Sequence, residues 1–215
     1  MIFELNAEVL EITIRSIMIS GGAVLLSSTW SLPLAYITSI KVRGELIPSI
    51  LEALIGMPTV LLGLLLYFLL SSQGPLGFMR MLYTPQAIIL GQALLITPLI
   101  IATSYRILRY SIETYGELAL SLGASKGQAM IIAFRESIPG LLASLTMAFS
   151  RAIGELGIAL IVGGNIKGYT RVLTTAIALE VSKGDFEKAV SLGMMLLLIM
   201  VVLALTIKSI RRLLT

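Results

Sequence analysis

Four long runs without a charged side chain constrain this chain more than any other feature. They cover residues 16–40, 53–79, 81–105 and 189–207. A helix that crosses the hydrocarbon core of a bilayer needs about 20 apolar residues. A fifth run, residues 138–162, is long enough but contains Arg151 and Glu155. Because lipid offers no hydrogen bonds to an open backbone, we predict an all-α polytopic membrane protein with about five transmembrane helices.

The composition indicates the same class of protein. Of 215 residues, 57% are hydrophobic and 13% are charged, whereas a soluble domain carries about 25% charged residues. A fold of this size cannot hide so much apolar surface from its solvent, so that solvent must be lipid. The chain has no cysteine and no histidine, which excludes disulfides, zinc sites and histidine-based catalysis. We predict no metal site and no nucleic acid partner.

The five spans belong to one domain, residues 1–215. We predict the membrane helices at residues 16–40, 53–72, 83–105, 138–162 and 189–207. Two hydrophilic stretches separate some of them, a loop at residues 106–137 and a segment at residues 163–188. The chain contains no phosphate-binding loop of the Gly-x-x-x-x-Gly-Lys-Ser/Thr type. We therefore predict no nucleotide cofactor and no enzyme activity on this chain.

The basic residues predict an orientation in the membrane. Residues 41–43, 106–135 and 208–212 contain nine lysines and arginines, whereas residue 80 and residues 167–188 contain five. Since bases mark the cytoplasmic side, we expect an outer N-terminus and a cytoplasmic C-terminus in a prokaryotic plasma membrane. The net charge of +4 fits this bias, and attraction of an acidic partner is the alternative. Three glutamates precede the first base, which favours a retained anchor over a cleaved signal peptide.

The loop at residues 106–137 is predicted to form two short helices that bend at Gly123 and lie against the membrane face. Ser125 is a candidate cap for the second helix. Such a loop is either an amphipathic surface element or a docking site for a cytoplasmic partner. The motif residues are Glu117, Ala119, Gly123, Ala124 and Ser125, followed by Pro139 and Gly140.

This motif resembles the EAA loop of ATP-binding-cassette importer permeases, which implies docking to an ATPase subunit. Two positions depart from the family pattern. Leu118 stands where the family has alanine, and Glu136 stands where it has proline.

Kinks and small polar residues in the second and third spans indicate a polar path. Pro58 follows Gly56 and precedes Thr59, while Thr97 precedes another proline. Proline bends a helix and frees a backbone carbonyl, which can line a path or simply accompany packing in a bundle. Pro58, Thr59 and Thr97 are the candidates, and Gln92 is a weaker one. The segment from Pro58 resembles the second-helix signature of molybdate, sulfate and tungstate permeases.

Arg151 and Glu155 lie one helical turn apart inside the fourth span, within reach of an ion pair. A charge at a helix centre is costly and is usually turned inward. The pair is either a neutralised structural element or part of a path, where arginine would stabilise an anion transiently. The segment around it is similar to the Arg-Ala-x-Gly-Glu segment of oxyanion permeases.

Residues 163–188 open with glycines that either end a helix or form an anion-binding nest. We predict a short helix over residues 171–182 and a cap for the last span at residues 182–185. The stretch from residue 163 to 180 resembles tungstate-type permeases residue after residue, which implies docking of an external binding protein. The candidate docking residues are Gly163, Gly164, Asn165, Lys167, Tyr169 and Arg171.

These resemblances together identify the chain as a permease of the oxyanion-importer type. They imply a second copy of the chain, two cytoplasmic ATPase subunits that bind ATP and magnesium, an extracytoplasmic oxyanion-binding protein and the lipid bilayer. Tungstate is the first expected substrate, with molybdate or sulfate as alternatives. From other classes, a proton-coupled carrier with Glu155 as the titrating group and a non-transporting membrane scaffold stay open.

Overall fold

The computed structural model describes residues 7–41 and 46–214, and within those ranges it is helical without any strand. The α-helices are, in order, α1 Ala7–Lys41, α2 Leu46–Ile55, α3 Thr59–Leu70, α4 Pro85–Ser111, α5 Glu117–Ser121, α6 Lys126–Ile153, α7 Gly157–Gly163, α8 Leu173–Lys183 and α9 Phe186–Leu214. A 3-10 turn, Gly77–Met79, follows α3, and a π-turn, Ile112–Gly116, joins α4 to α5. The predicted all-α class is confirmed.

Four continuous helices are long and apolar enough to cross a membrane. They are Ala7–Lys41, Pro85–Ser121, Lys126–Ile153 and Phe186–Thr206. A fifth crossing results if α2 and α3 count as one span, although they meet at an angle of 87°. The predicted number of about five is therefore confirmed.

The second predicted span is broken where a kink was expected. α2 ends at Ile55, and Pro58 precedes the first residue of α3 in an extended conformation. Proline has no backbone N–H to donate, and it disfavours the helical conformation in Met57 before it. Both effects act at the same place, so the helix stops and restarts in a new direction.

The fourth predicted span, residues 138–162, also differs from the structure. α6 begins far earlier, at Lys126, and ends at Ile153, while α7 is a separate helix from Gly157 to Gly163. Glycines at 154 and 157 weaken the helix on both sides of the break. The carboxylate of Glu155 then accepts a hydrogen bond from the N–H of Ile158, which caps the new helix.

The hydrophilic loop at residues 106–137 is almost entirely helical, so the prediction of two short surface helices is wrong. Only residues 122–125 lie outside helices. The membrane helices extend into this region because residues 105–115 contain neither glycine nor proline. The predicted bend and cap are confirmed. Gly123 has φ +90°, and Ser125 forms a capping box with Gln128.

A stripe of small side chains on α1 allows α4 to approach closely. Thr13, Ser16, Ser20, Ser27, Ser31 and Ser39 are all buried along one face. Membrane helices associate through such small residues because lipid gives apolar side chains no reason to cluster. The Ser27 hydroxyl also meets that of Thr97 on α4 at 3.0 Å. α2, α6 and α7 pack against this pair of helices, whereas α9 packs mainly against α8 and α6.

The bundle has two ends. At the first, which we name the hairpin end, the α5–α6 turn lies near the end of α1, where Arg109 donates to the carbonyl of Ser39. At the distal end, α1 begins beside residues 165–171, since Lys167 pairs with Glu8. α9 starts at the distal end after Asp185, whose carboxylate caps it through the N–H of Lys188. This confirms the predicted cap of the last span.

Candidate functional site

The two helix breaks lie side by side, and we call residues 56–59 and 154–157 the helix-break site. A Cβ built on Gly157 would lie 3.0 Å from Oγ1 of Thr59 and 3.3 Å from the backbone nitrogen of Val60. The first turns of α3 and α7 are therefore in contact, and Gly157 has no room for a side chain. α3 rises about 18 Å over its 12 residues, which is too short to cross a hydrocarbon core about 30 Å thick by itself.

Arg151 and Glu155 form the predicted ion pair at this site. Nη1 of Arg151 lies 2.8 Å from Oε2 of Glu155, whose side chain is 3% exposed. The other carboxylate oxygen accepts from Ile158, and the backbone carbonyl of Glu155 accepts from Thr174 at 2.8 Å. Glu155 thus links α6, α7 and α8. This geometry suits a structural role, while the partly exposed guanidinium of Arg151 suits contact with an anion.

The helix-break site presents polar backbone to its surroundings. Gly56, Pro58 and Gly154 are exposed. Within the described residues, no side chain caps the first turn of α3. The first N–H groups of a helix carry a partial positive charge, and Arg151 adds a positive charge that its pair with Glu155 partly offsets. The site is therefore suited to transient contact with an anion.

Four of the five candidate path residues come together at the helix-break site, and Thr97 does not. Its hydroxyl donates to the carbonyl of Ala93 and accepts from the indole nitrogen of Trp30 at 2.9 Å. These bonds place Thr97 between α4 and α1. The proline after it, Pro98, lies inside α4 without ending that helix.

The hairpin end presents apolar side chains at residues 117–125, which we name the hairpin tip. Leu118, Leu120 and Leu122 are exposed, and Leu122 reaches 81% exposure. Ala119 is buried, and its carbonyl accepts from the N–H of Ala124 at 3.0 Å, which closes the turn. Such exposed leucines next to polar residues are typical of a surface that another protein covers. The motif residues Glu117, Gly123, Ala124 and Ser125 lie on this tip.

At the distal end, Gly163 and Gly164 end α7, as the helix-ending interpretation predicts. Gly164 takes φ +70° and leaves no space for a side chain, since a Cβ would lie 2.8 Å from Cδ1 of Tyr83. Asn165 accepts a hydrogen bond from Nε of Arg171. The predicted short helix is present as α8.

Two of the six candidate docking residues offer exposed side chains, Lys167 and Tyr169. Arg171 is 15% exposed and is turned inward towards Asn165 and Glu8. The guanidinium of Arg15 donates to the carbonyls of Arg171 and Gly168. The distal segment is thus tied to α1 as a compact surface.

Comparison with known proteins assigns the family. Residues 15–215 match the family described as binding-protein-dependent transport system inner membrane component. The chain belongs to this family. The permease is 40% identical to the tungstate uptake system permease protein TupB of Peptoclostridium acidaminophilum over 90% of this chain and 86% of that protein.

Two further relatives are informative. One is a probable anion ABC transporter permease of Haloferax volcanii, 34% identical over 86% of this chain and 83% of that protein. The other is the tungstate uptake system permease protein TupB of Campylobacter jejuni, 39% identical over 70% of this chain and 63% of that protein.

Sequence reasoning missed the ties of the permease's first helix to its distal segment. Glu8 pairs with Lys167 at 3.2 Å, and the buried Glu180 pairs with Lys183 and Lys188 at 3.2 and 3.4 Å. The signal available in the sequence was the cluster of glutamates before residue 12, whose charge is opposite to that of the bases in residues 167–188. Charge alone could not give the pairing of Glu8 with Lys167, because the two residues are far apart in the sequence.

The ion pair at the helix-break site can be tested with Arg151→Met. Because this change leaves the buried Glu155 carboxylate uncompensated, we expect the permease to lose about 3 kcal/mol of stability, measured as thermal unfolding in detergent. The control Glu11→Gln breaks a pair with the same spacing whose acid is 59% exposed, and it should cost less than about 1 kcal/mol.

Adding Glu155→Gln to Arg151→Met should restore stability, since glutamine keeps an oxygen for the N–H of Ile158. Transport by this double variant then separates the two interpretations. Normal transport would identify a structural pair, whereas an assembled but inactive complex would place Arg151 in the path. Unchanged stability of Arg151→Met alone would show that the pair does not compensate a buried charge.

Proposed function

We propose that this permease is the membrane-spanning subunit of an ATP-driven importer of tungstate. The observation that carries the proposal is the 40% identity to a tungstate uptake permease across nine-tenths of the chain. Molybdate and sulfate are the alternative substrates, and a sulfate permease of Escherichia coli is 25% identical. The helix-break site supports an oxyanion of this kind, because it combines the partly exposed Arg151 side chain with the amino end of α3.

The site fits passage of the anion better than storage. Conduction needs binding that is strong enough to admit an ion and weak enough to release it. Glu155 lies 2.8 Å from Arg151, so it offsets part of the positive charge that a dianion meets. Both oxygens of Glu155 already accept hydrogen bonds, which weighs against its use as the proton carrier of a proton-coupled transporter.

A second copy of the permease is proposed to complete the pathway. Polar backbone at a helix break is tolerated in a membrane only where it is buried in protein or lines water. Gly56, Pro58 and Gly154 are exposed in the single chain. A homodimer in which these breaks face a shared aqueous path would satisfy both requirements.

The hairpin tip is proposed to dock on two cytoplasmic ATPase subunits, which bind ATP and magnesium. The leucines at 118, 120 and 122 supply the apolar contact, and Glu117 sits beside them. The continuous helix from Pro85 to Ser121 connects this tip directly to the membrane interior. ATP-driven movement at the tip would therefore reach α4 without an intervening loop.

The distal end is proposed to receive the external binding protein. Lys167 and Tyr169 are exposed there, and the loop before α4 lies next to them because the N–H of Tyr83 donates to the carbonyl of Val162 at 2.8 Å. In this proposal the distal end faces outward and the hairpin end faces the cytoplasm. The nine lysines and arginines of residues 41–43, 106–135 and 208–212 support that orientation.

The orientation predicts the location of reporters fused to the chain. A reporter after Thr215 should be active only in the cytoplasm, and one inserted after Lys167 only outside. Enzymatic reporters that fold on one side of the membrane measure this directly. A periplasmic C-terminus would contradict the proposed orientation and place the hairpin tip away from any ATPase.

Two alanine substitutions test the coupling role of the hairpin. A Cβ would meet nothing within 4 Å at Gly123 or at Gly127, but only Gly123 has a positive φ, +90°. Gly123→Ala should strain the turn by roughly 1 kcal/mol, and we expect ATPase stimulation and uptake to fall together. Gly127→Ala lies in a helix and should leave both unchanged.

The bulkier variant Gly123→Val should abolish uptake while the protein still inserts in the membrane. Assembly with the ATPase is measured by co-purification in each case. Normal stimulation of ATP hydrolysis by Gly123→Val would contradict docking through this turn.

Uptake by a reconstituted complex tests the function itself. Liposomes that contain the permease, its ATPase and its binding protein should accumulate tungstate only with ATP, and a proton uncoupler should have no effect.

Tungstate and molybdate are tetrahedral dianions of nearly equal size, so a path that must release them discriminates poorly. Selectivity is a difference of affinities, and we expect it to reside in the binding protein.

Exchange of the binding protein tests where selectivity resides. A molybdate-binding protein with a docking surface matched to this permease should support molybdate uptake. Docking and ATPase stimulation without molybdate entry would place the selective element in the membrane helices. Uptake that follows a proton gradient without ATP would overturn the proposed function.

A further inference from the structure

Gln92, on α4, is a polar side chain buried without a hydrogen bond to its carbonyl oxygen. The residue is 2% exposed. No donor in residues 7–41 or 46–214 reaches its Oε1 atom. Buried polar groups almost always have partners, and an unpaired one raises the free energy of the conformation that holds it. Inside a membrane helix no bulk water is available to supply the missing bond.

The neighbours of Gln92 place it opposite the α6–α7 break. Ile88 and Ile96 lie one turn before and after it on the same face of α4. Ile88 packs with Ile158 and Val162 of α7, whereas Ile96 packs with Ala152 and Ile153 of α6. Gln92 therefore lies between these contacts, at the level of residues 154–157, although Leu95, almost one turn further along α4, also belongs to the cluster of Ile88.

The contact around Gln92 is tight on the α7 side. A Cβ built on the adjacent Gly91 would lie 2.4 Å from Cγ2 of Ile158. α1 closes the other side, since Ile19 belongs to the cluster of Ile88 and Val24 to that of Ile96. Gln92 is thus a single buried polar side chain among apolar residues of α1, α4, α6 and α7.

We propose that Gln92 is a positioning residue that destabilises the packing of α4 against the α6–α7 break in the present conformation. When the break moves during transport, its carbonyl oxygen accepts a hydrogen bond from a first-turn N–H of α7. The N–H of Ile158 already donates to Glu155 and that of Leu160 to the carbonyl of Leu156. The N–H groups of Gly157 and Ala159 are the first-turn donors that remain at the break. The bond lowers the free energy of the second conformation relative to the first. This inference rests on the proposed transport function.

The inference predicts an unusual combination of effects for an apolar replacement. Gln92→Leu removes the unpaired oxygen at similar volume, so the present conformation should become more stable. The melting temperature in detergent should rise by about 2 °C or more, and the maximal uptake rate should fall roughly five- to thirtyfold. The half-saturating concentration of tungstate-loaded binding protein should not change, because Gln92 is buried and cannot contact the binding protein.

The experiment compares Gln92→Leu with Gln92→Met, which matches the length of glutamine, and with the control Gln86→Leu. Gln86 lies on the same helix but is exposed, so its replacement should alter neither melting nor uptake. Each variant is purified with its ATPase and assayed in liposomes beside the unmodified complex. A higher melting temperature together with slower maximal uptake supports the proposal.

Several results would overturn the proposal. A lower melting temperature would show that Gln92 is already bonded, for example to a buried water. A higher melting temperature with normal uptake would show that Gln92 only weakens the packing and has no role in the transport cycle. Failure of both the Leu and Met variants to assemble would show that the polar group is required in the present conformation. If the unmodified complex takes up no tungstate, the proposed function fails instead, whatever the variants do.

Discussion

The demand that every backbone N–H and C=O find a partner in lipid governs this structure. α1, α4, α6 and α9 meet it along nearly their whole length. The exceptions are the two breaks, and the fold places them against each other so that the first turns of α3 and α7 touch. By placing the two breaks side by side, the fold concentrates its exposed polar backbone in one place. That place also contains its intramembrane ion pair.

The same demand explains the small side chains around the breaks. A side chain larger than that of glycine does not fit at position 157, because Thr59 and Val60 lie against it. The same holds at position 91, because Ile158 lies against Gly91. Close approach of backbones replaces the apolar driving force that lipid removes. α1 uses serines for the same purpose on its face towards α4. The contacts that hold the bundle together are therefore short-range and sensitive to volume.

Much of the fold was predictable from the chain, and the failures have identifiable causes. Long uncharged runs gave the helical class and the approximate number of spans, and a one-turn spacing gave the pair of Arg151 and Glu155. Hydropathy could not show that 138–162 is two helices, because glycine and leucine at the break do not lower it and a single charge such as Glu155 also occurs within membrane helices. Hydropathy also predicted a loop at residues 106–137. Polar residues there mark the end of a membrane span, but the helices themselves continue through them.

The site was predictable in part. Pro58, Thr59, Arg151 and Glu155 meet at the helix-break site, whereas Thr97 bonds to α1. Both threonines precede or follow a proline, and only tertiary packing distinguishes them. The unpaired oxygen of Gln92 could not be foreseen either, because a glutamine in a span predicts a partner rather than the lack of one.

The π-turn at Ile112–Gly116 has a consequence for how such chains change over evolutionary time. One residue inserted in an α-helix rotates everything beyond it by about 100°. A π-turn accommodates one extra residue within a single wide turn. The side chains of α4 and α5 then point in the same directions as they would in a continuous α-helix without that residue. Related chains without the wide turn should then be one residue shorter between the membrane span and the glutamate of the tip. Alignment across this point requires a gap at 112–116, even where both flanking segments match without one.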